Sequence, residues 1–179
     1  IGQDIPFEEV LSLRSYKKDP VQFWNTAFNT MQWGDLAKKE PSSGHKWIQS
    51  LESETRKVTV LTQNIDGLHN KAGSTNIINL HGTIQEGLCV NGHFNYLDLS
   101  NSETPFCEQC QTIIKPNVIL YGEEVRTFIR ALDVVIKADV FIAMGSTLKV
   151  APVNSLIENA KYIAGAKVFI INNEDTEYM

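Results

Sequence analysis

Short apolar segments that end in polar or glycine-containing clusters constrain the fold of this chain more than any other feature. They occupy residues 57–62, 76–80, 117–121, 139–144 and 167–171. Each segment is short and most are rich in β-branched residues, which is typical of strands covered on both faces of a parallel sheet. Helical spacing of apolar residues separates several of them. Because strands that alternate with helices form parallel sheets, the sequence predicts an α/β fold.

Helices are predicted before the first strand and between the later strands. Apolar residues at helical intervals indicate helices near 7–13, 21–28, 41–52, 127–137 and 153–162. Asp19 followed by Pro20 is a start signal for the second of these helices. Residues 87–114 interrupt the alternation and hold too few large apolar residues for a core of their own. We interpret them as a small module inserted into a larger domain formed by residues 1–86 and 115–179.

Composition excludes several classes of protein. The 179 residues fit one domain with a small insertion, and the net charge of −5 argues against a protein that binds nucleic acid directly. The sequence has neither a polybasic membrane anchor nor an apolar run long enough to span a bilayer, so we expect no membrane association. Three cysteines fit no closed disulfide framework and favour a reducing, cytoplasmic location.

Polar clusters follow four of the predicted strands, at 63–66, 81–82, 145–147 and 172–175. In open α/β sheets, ligands bind beyond the carboxyl ends of the strands. Gly145, Ser146 and Thr147 offer backbone and hydroxyl donors that suit a phosphate or a ribose. Taken singly, Asn64 and Asp66 are better explained by a helix cap or an Asx-turn. Together, the four clusters predict a dinucleotide site.

His81 is the best candidate for a general base. It follows an apolar strand directly, and the ordinary pKa of histidine lies near neutral pH. A hydrogen-bonded packing histidine remains the alternative. His69 and His93 are weaker candidates, because one lies in a loop helix and the other in the inserted module.

The three cysteines predict a zinc site. Cys107 and Cys110 have the spacing of a zinc-binding turn, and Cys89 is a third candidate ligand. A second Cys-x-x-Cys motif would need cysteine at 92, where the chain has Gly92 followed by His93. The fourth ligand is therefore His93 or water, unless the module binds no metal.

Several motifs together resemble the sirtuin family of NAD-dependent protein deacylases. They are Thr-Gln-Asn-Ile-Asp-Gly-Leu-His at 62–69, Leu-His-Gly at 80–82, Cys-x-x-Cys at 107–110, Lys-Pro-Asn-Val-Ile-Leu-Tyr-Gly-Glu at 115–123, Met-Gly-Ser-Thr-Leu-x-Val-x-Pro at 144–152 and Ile-Asn at 171–172. They occur in family order over roughly residues 57–175. The resemblance implies a Rossmann-like parallel sheet with helices on both faces and a small inserted zinc-ribbon-like module.

The resemblance also implies roles for individual residues. His81 would be the general base, and Asn64 would be catalytic as well as part of the nicotinamide pocket. The expected NAD-binding residues are Gln63, Asn64, Ile65, Asp66, Gly145, Ser146, Thr147 and Asn172. The residues expected beside an acyl-lysine peptide are Val118, Ile119, Tyr121, Gly122, Glu123 and Val150. The expected structural zinc ligands are Cys89, Cys107 and Cys110.

The family's reaction transfers the acyl group of a protein lysine to NAD and yields nicotinamide and O-acyl-ADP-ribose. ADP-ribosyl transfer to protein and a non-catalytic NAD- and zinc-binding module are the alternatives. The family's N-terminal strand and Gly-Ala-Gly-x-Ser phosphate loop would lie before Ile1, and its last strand and helix after Met179. We therefore expect this chain to be part of a larger enzyme and to be unable to turn over NAD alone.

Overall fold

The computed structural model describes residues 7–149 and 151–175. The chain divides into two compact units, Ile1–Glu124 and Val125–Met179. Over the described residues, the mixed helices and parallel strand pairs confirm the predicted α/β class.

The described part of the first unit contains six short helices, five of them at its start. They are α1 (Phe7–Val10), α2 (Leu13–Lys18), α3 (Pro20–Asn29), α4 (Trp33–Ala37), α5 (Ser43–Ser50) and α6 (Leu68–Lys71). The Asp19 carboxylate accepts a hydrogen bond from the Gln22 N–H at 2.9 Å, and Pro20 is the first residue of α3. The start signal in the sequence is thereby confirmed.

Aromatic side chains of α3 and α4 form the core of the first unit. Phe23, Trp24 and Trp33 are at most 2% exposed and meet edge to face. Trp24 also donates a hydrogen bond from Nε1 to the carbonyl of Ile114 at 2.9 Å, which satisfies its buried polar atom. Ile84 packs into the same cluster. The core therefore joins the helices to the sheet that carries the site.

Two sheets complete the first unit. Strands β1 (Val60–Thr62) and β2 (Ile77–Asn79) pair in parallel, as predicted. Strands β3 (Gly82–Leu88), β4 (Phe94–Tyr96) and β5 (Lys115–Val118) form an antiparallel sheet in the order β4-β3-β5. The strand predicted at 117–121 thus begins earlier, at Lys115, and pairs antiparallel with β3, which the strand pattern did not predict.

The second unit contains a parallel strand pair and helices. Its elements are α7 (Phe128–Val135), β6 (Val140–Met144), α8 (Ser155–Glu158), a π-helical turn at Asn159–Ile163 and β7 (Lys167–Ile171). Strands β6 and β7 pair in parallel over five residue pairs. Ala131, Val135 and Ala160 are at most 1% exposed and belong to the helical segments of this unit.

No helix within the described ranges is both long enough and apolar enough to cross a bilayer.

Candidate active site

His81 lies in the tight turn between β2 and β3, beside the loop that follows β1. Its Nδ1 is 3.2 Å from the carbonyl oxygen of Gln63. A carbonyl oxygen can only accept, so Nδ1 carries the proton in this hydrogen bond. In the neutral ring, Nε2 then holds the lone pair that can accept a proton from a substrate. The structure thus brings together two residues that the sequence predicted for one site.

The protonation state of His81 suits a base. The half-buried environment lowers the pKa of His81 below its ordinary value, and the Gln63 carbonyl opposes this effect in part. Burial dominates because it penalises the charged imidazolium. The ring is therefore neutral near pH 7, as proton abstraction requires.

The loop after β1 is tied to β3 by its main chain. The Ile84 N–H donates to the Ile65 carbonyl at 3.0 Å, and Gln85 Nε2 donates to the Asp66 carbonyl at 3.5 Å. The Asp66 side chain accepts from the Leu68 N–H at 2.9 Å, the Asx-turn considered for this residue. These bonds hold the loop beside His81.

Asn64 occupies the exposed tip of this loop. Its own N–H donates to the Thr62 hydroxyl at 3.1 Å, which fixes the backbone, and the residue is exposed. An exposed amide on an anchored backbone can bind a polar ligand without first breaking a protein contact.

His69 has a packing role. Its ring lies on that of His45 with the centroids 4.6 Å apart. Burial lowers the pKa of His69, the His45 ring lowers it further, and Asp66 opposes both. His81 therefore remains the better candidate for the base.

Residues 118–123 run directly beside His81. The Ile119 N–H donates to the His81 carbonyl at 2.9 Å, and Gly82 is paired with Val118. Beyond it, Tyr121 is half exposed and exchanges two main-chain hydrogen bonds with Leu11 and Leu13. A substrate segment bound along 118–123 would therefore lie beside the candidate base.

Glu123 turns back into the protein. Its Oε2 accepts from the Leu120 N–H at 2.9 Å and pairs with Lys115 Nζ at 2.9 Å. Lys115 was missed as a functional candidate because the pair forms only when the chain reverses at Gly122. The nearest signal in the sequence was the presence of both charges in the motif at 115–123.

Four predicted residues of the nucleotide site lie in the second unit, at the ends of β6 and β7. The Asn172 amide donates from Nδ2 to the Ser146 carbonyl at 3.1 Å, and the Gly145 N–H donates to Ile171 at 2.9 Å. Gly145 and Thr147 are exposed. The structure therefore brings together the two predicted clusters of this unit. Val150 lies outside the described residues.

A compact group of sulfur and nitrogen atoms forms the candidate metal centre. The ligand atoms of Cys89, His93, Cys107 and Cys110 all lie within 4.8 Å of one another. Cys110 Sγ is 3.6 Å from Cys89 Sγ, and Cys107 Sγ is 3.5 Å from His93 Nδ1. A tetrahedral zinc ion needs separations of about 3.8 Å between sulfurs and about 3.6 Å between sulfur and nitrogen. The three predicted cysteines fit a zinc ion, and His93 is placed as the fourth ligand.

Two turns present these ligands. Cys89 and His93 face each other across the end of the β3–β4 hairpin, where the Gly92 N–H donates to the Cys89 carbonyl at 2.9 Å. Gly92 has a φ of +80°, which lets histidine take its place one residue beyond the expected cysteine. The other turn is closed by the Cys107 N–H, which donates to Thr112 at 2.8 Å.

The pKa values of two of the four donors, Cys110 and His93, are shifted by their neighbours. Hydrogen bonding by Thr112 is the main factor that lowers the pKa of the Cys110 thiol to about 5. A thiolate is the form that binds zinc. The pKa of His93 is shifted in the other direction: hydrogen bonding with Cys110 is the main factor that raises it, and a metal must displace this proton because only the neutral ring is a ligand.

Comparison with known proteins identifies the family. The model of the Sir2 family matches residues 4–152. NAD-dependent protein deacetylase 2 of Geobacillus kaustophilus (strain HTA426) is 46% identical over 161 residues, which cover 87% of this chain and 64% of that protein. An NAD-dependent protein deacetylase of Bacillus anthracis is 38% identical over 176 residues, 97% of this chain and 72% of that protein.

A solved structure agrees with these sequence matches. The structure of Sir2Tm bound to a propionylated peptide superposes with a TM-score of 0.82 at 28% identity, over 98% of this chain and 76% of that one. Fold and site thus define an α/β protein of the Sir2 class. The chain belongs to the Sir2 family, which confirms the resemblance to sirtuins. It spans about two thirds of the length of the two curated relatives named above.

Proposed function

We propose that the protein removes acyl groups, in particular acetyl groups, from lysine side chains of other proteins in an NAD-dependent reaction. The observation that carries this proposal is His81, whose Nδ1 is bound to the Gln63 carbonyl at 3.2 Å and whose pKa is lowered by burial. A neutral imidazole in a fixed tautomer is a base that needs no reorganisation before it accepts a proton. The family membership and the names of the relatives support the same activity.

In the proposed reaction, the amide oxygen of the acyl-lysine would bond to the nicotinamide ribose of NAD as the bond to nicotinamide breaks. With one water, the lysine amine would then be released and the acyl group would stay on the ribose, which gives O-acyl-ADP-ribose. His81 accepts a proton from a ribose hydroxyl once nicotinamide has left. Asn64 takes part in catalysis at the tip of the same loop. The remaining proposed contacts to the nicotinamide end are Gln63, Ile65 and Asp66, all in the loop tied to β3.

The proposed contacts to the rest of NAD lie in the second unit. Gly145 is exposed with a φ of +59°, and its lack of a side chain lets a phosphate approach the main chain closely. Ser146, Thr147 and Asn172 add hydroxyl and amide groups for phosphate and ribose. The hydrogen bond from Asn172 to Ser146 supports their assignment to one subsite.

The acyl-lysine segment of the substrate is proposed to bind along residues 118–123 and at Val150. Val118 and Ile119 are extended, with the Ile119 N–H bonded to the His81 carbonyl, and the chain then turns through Tyr121, Gly122 and Glu123. Addition of a peptide as a further strand is a common way for such a segment to bind a substrate. It would place the acyl group near the base.

Zinc is proposed to have a structural role in the module at 87–114. All four donor side chains belong to the protein, which is typical of a closed structural site. The three cysteines are free thiols, and this supports a reducing, cytoplasmic location. The proposed partners are acyl-lysine proteins or peptides, without direct contact to nucleic acid or membrane.

The proposal is tested with the full-length protein, an acetyl-lysine peptide and NAD. We expect nicotinamide release and loss of the acetyl mass from the peptide, measured by mass spectrometry. His81→Ala should lower the rate at least about 100-fold, since removal of a general base costs two to four powers of ten. His45→Gln is the matched control, because His45 packs on His69 and should leave the rate within about twofold.

Full activity of the His81→Ala variant would contradict the role of His81. A gain of mass on a protein target would instead support ADP-ribosyl transfer. If the wild type showed neither peptide deacylation nor ADP-ribosyl transfer, a non-catalytic module that binds NAD and zinc would be the remaining explanation.

A further inference from the structure

The segment at residues 118–123 is built on a tight turn. The Glu123 N–H donates to the Leu120 carbonyl at 2.9 Å, and Gly122 has a φ of +94°. A positive φ at the third of four residues is typical of a type II turn. The chain therefore reverses immediately after the part of the segment that runs beside His81.

A half-buried ion pair fastens this turn to the start of β5. Lys115 Nζ lies 2.9 Å from Glu123 Oε2, and the two side chains are only 25% and 15% exposed. Lys115 also donates to the Val118 carbonyl at 3.1 Å, while Glu123 accepts from the Leu120 N–H at 2.9 Å. Lys115 Nζ donates to the Pro116 carbonyl as well, at 3.3 Å, so the pair holds three main-chain groups in addition to the two charges, and two of these groups, at Val118 and Leu120, belong to the segment at 118–123.

These two main-chain groups lie on one edge of the segment. The Ile119 N–H points to the His81 carbonyl on the β3 side. Neighbouring residues of an extended chain direct their main-chain groups to opposite edges, so those of Val118 and Leu120 face away from β3. This outer edge is the one that an added strand would otherwise use. Lys115 and Glu123 occupy it.

The next two residues, Tyr121 and Gly122, differ in how accessible their main chain is to a bound peptide. The N–H and carbonyl of Tyr121 are bound to Leu11 and Leu13. Gly122 is exposed, and a side chain built there would meet no atom within 4 Å. An extended peptide can therefore approach the main chain most closely at Gly122.

We infer that Lys115 and Glu123 are positioning residues whose ion pair closes the outer edge of residues 118–120 and holds the turn so that an acyl-lysine peptide adds at Gly122. This inference rests on the proposed deacylase function. It gives Glu123 an indirect role in binding the peptide, through Leu120 and Lys115. It adds Lys115 to the residues on which the register of the peptide depends.

The test compares two substrates in the full-length protein. One is an acetyl-lysine peptide of about ten residues, and the other is acetyl-lysine blocked at both ends, which lacks the flanking main chain. The variants are Lys115→Gln and Glu123→Gln, with Lys115→Arg as the conservative replacement. Lys71→Gln is the matched control, because Lys71 forms an ion pair with Glu40 at 2.6 Å elsewhere in the same unit.

We expect both Gln variants to raise KM for the peptide about tenfold, with kcat and the KM for NAD changed less than about twofold. A factor of ten corresponds to the loss of one well-placed charged hydrogen bond. The blocked acetyl-lysine should be turned over almost as by the wild type, because it forms no strand. Lys115→Arg should restore most of the affinity for the peptide, and Lys71→Gln should not alter it.

A purely structural ion pair would give a different pattern. The Gln variants would then lower the melting temperature and affect both substrates equally, or leave both unchanged, and either result would overturn this inference alone. Absence of turnover of both substrates by the wild type would overturn the proposed function, and this inference with it.

Discussion

At the scale of single residues, His81 is defined by what lies on its two ring nitrogens. Nδ1 is bound to a main-chain carbonyl, which no substitution at Gln63 can remove. Nε2 is left for the reaction. The sequence indicated His81 through its position after an apolar strand. It did not indicate the tautomer, because that depends on a carbonyl 18 residues away in the chain.

The lowered pKa of His81 predicts how the rate depends on pH. The base is active when neutral, so kcat/KM for the peptide should fall on acidification through the folded-state pKa. Since burial moves that pKa below the ordinary 6.5, the midpoint of the acid limb should lie below pH 6.5. The measurement is kcat/KM from about pH 5 to about pH 8, with a peptide that contains no histidine.

His69→Gln is the control for this profile. The pKa of His69 is also lowered, yet its ring packs on His45, so its removal should leave the acid limb in place. A midpoint above 6.5 in the wild type, or loss of the limb in His69→Gln, would contradict the assignment to His81.

At the scale of elements, strand β3 connects the candidate base to the candidate metal centre. It begins at Gly82, next to His81, and ends at Leu88, next to Cys89. Its register with β5 is interrupted by a bulge between Thr83 and Gly87. The sequence did not predict β3, because Gly82 and Gly87, together with polar Gln85 and Glu86, hide the pattern of a strand.

Gly82 is expected to tolerate no side chain. It has a φ of +79°, and a Cβ built there would overlap the carbonyl oxygen of Asn117 across the β3–β5 pair. Gly82→Ala should therefore lower the free energy of unfolding by about 3 kcal/mol or more, from backbone strain and overpacking combined. Urea unfolding, followed by circular dichroism, measures this change.

Gly122→Ala is the matched substitution. Gly122 also has a positive φ, but the added Cβ would meet no atom within 4 Å. Only the conformational cost of about 1 kcal/mol remains. Equal losses in the two variants would show that overlap with Asn117 does not matter.

At the scale of the whole molecule, the sequence predicted what depends on local pattern and missed what depends on chain reversal. The parallel pairs β1–β2 and β6–β7 follow from short apolar runs. The antiparallel sheet does not, because β3 pairs with β4 and β5 through chain reversals that the pattern does not show. The fourth ligand, which the sequence left open between His93 and water, depends on the hairpin turn at Gly92. The expected cysteine would stand at position 92, and the histidine that the turn presents stands one residue later, at 93.

The metal centre makes a prediction about the stability of the first unit. The purified full-length protein should contain about one zinc ion per chain, and Cys107→Ser should lose most of it, since a structural site needs its four ligands. Loss of the metal should lower the melting temperature by about 5 °C or more, because the ion binds only the folded module. Elemental analysis and calorimetry provide the two readouts.

His93 is tested separately with cobalt in place of zinc. His93→Cys should keep a tetrahedral site and add sulfur-to-metal charge-transfer absorption, whereas His93→Ala should weaken binding of the metal. A wild type without metal, or a His93→Ala variant with unchanged affinity, would contradict the Cys3His assignment.

The overlap at Gly82 also limits the genetic variation that the protein can carry. The obstructing atom is the main-chain carbonyl oxygen of Asn117, and every amino acid at 117 would have the same atom. No substitution at 117 can therefore compensate for a side chain at 82. A selection for suppressors of Gly82→Ala should return reversion to glycine rather than a substitution at 117, because the main chain of Asn117 sets the amino acid that residue 82 can be.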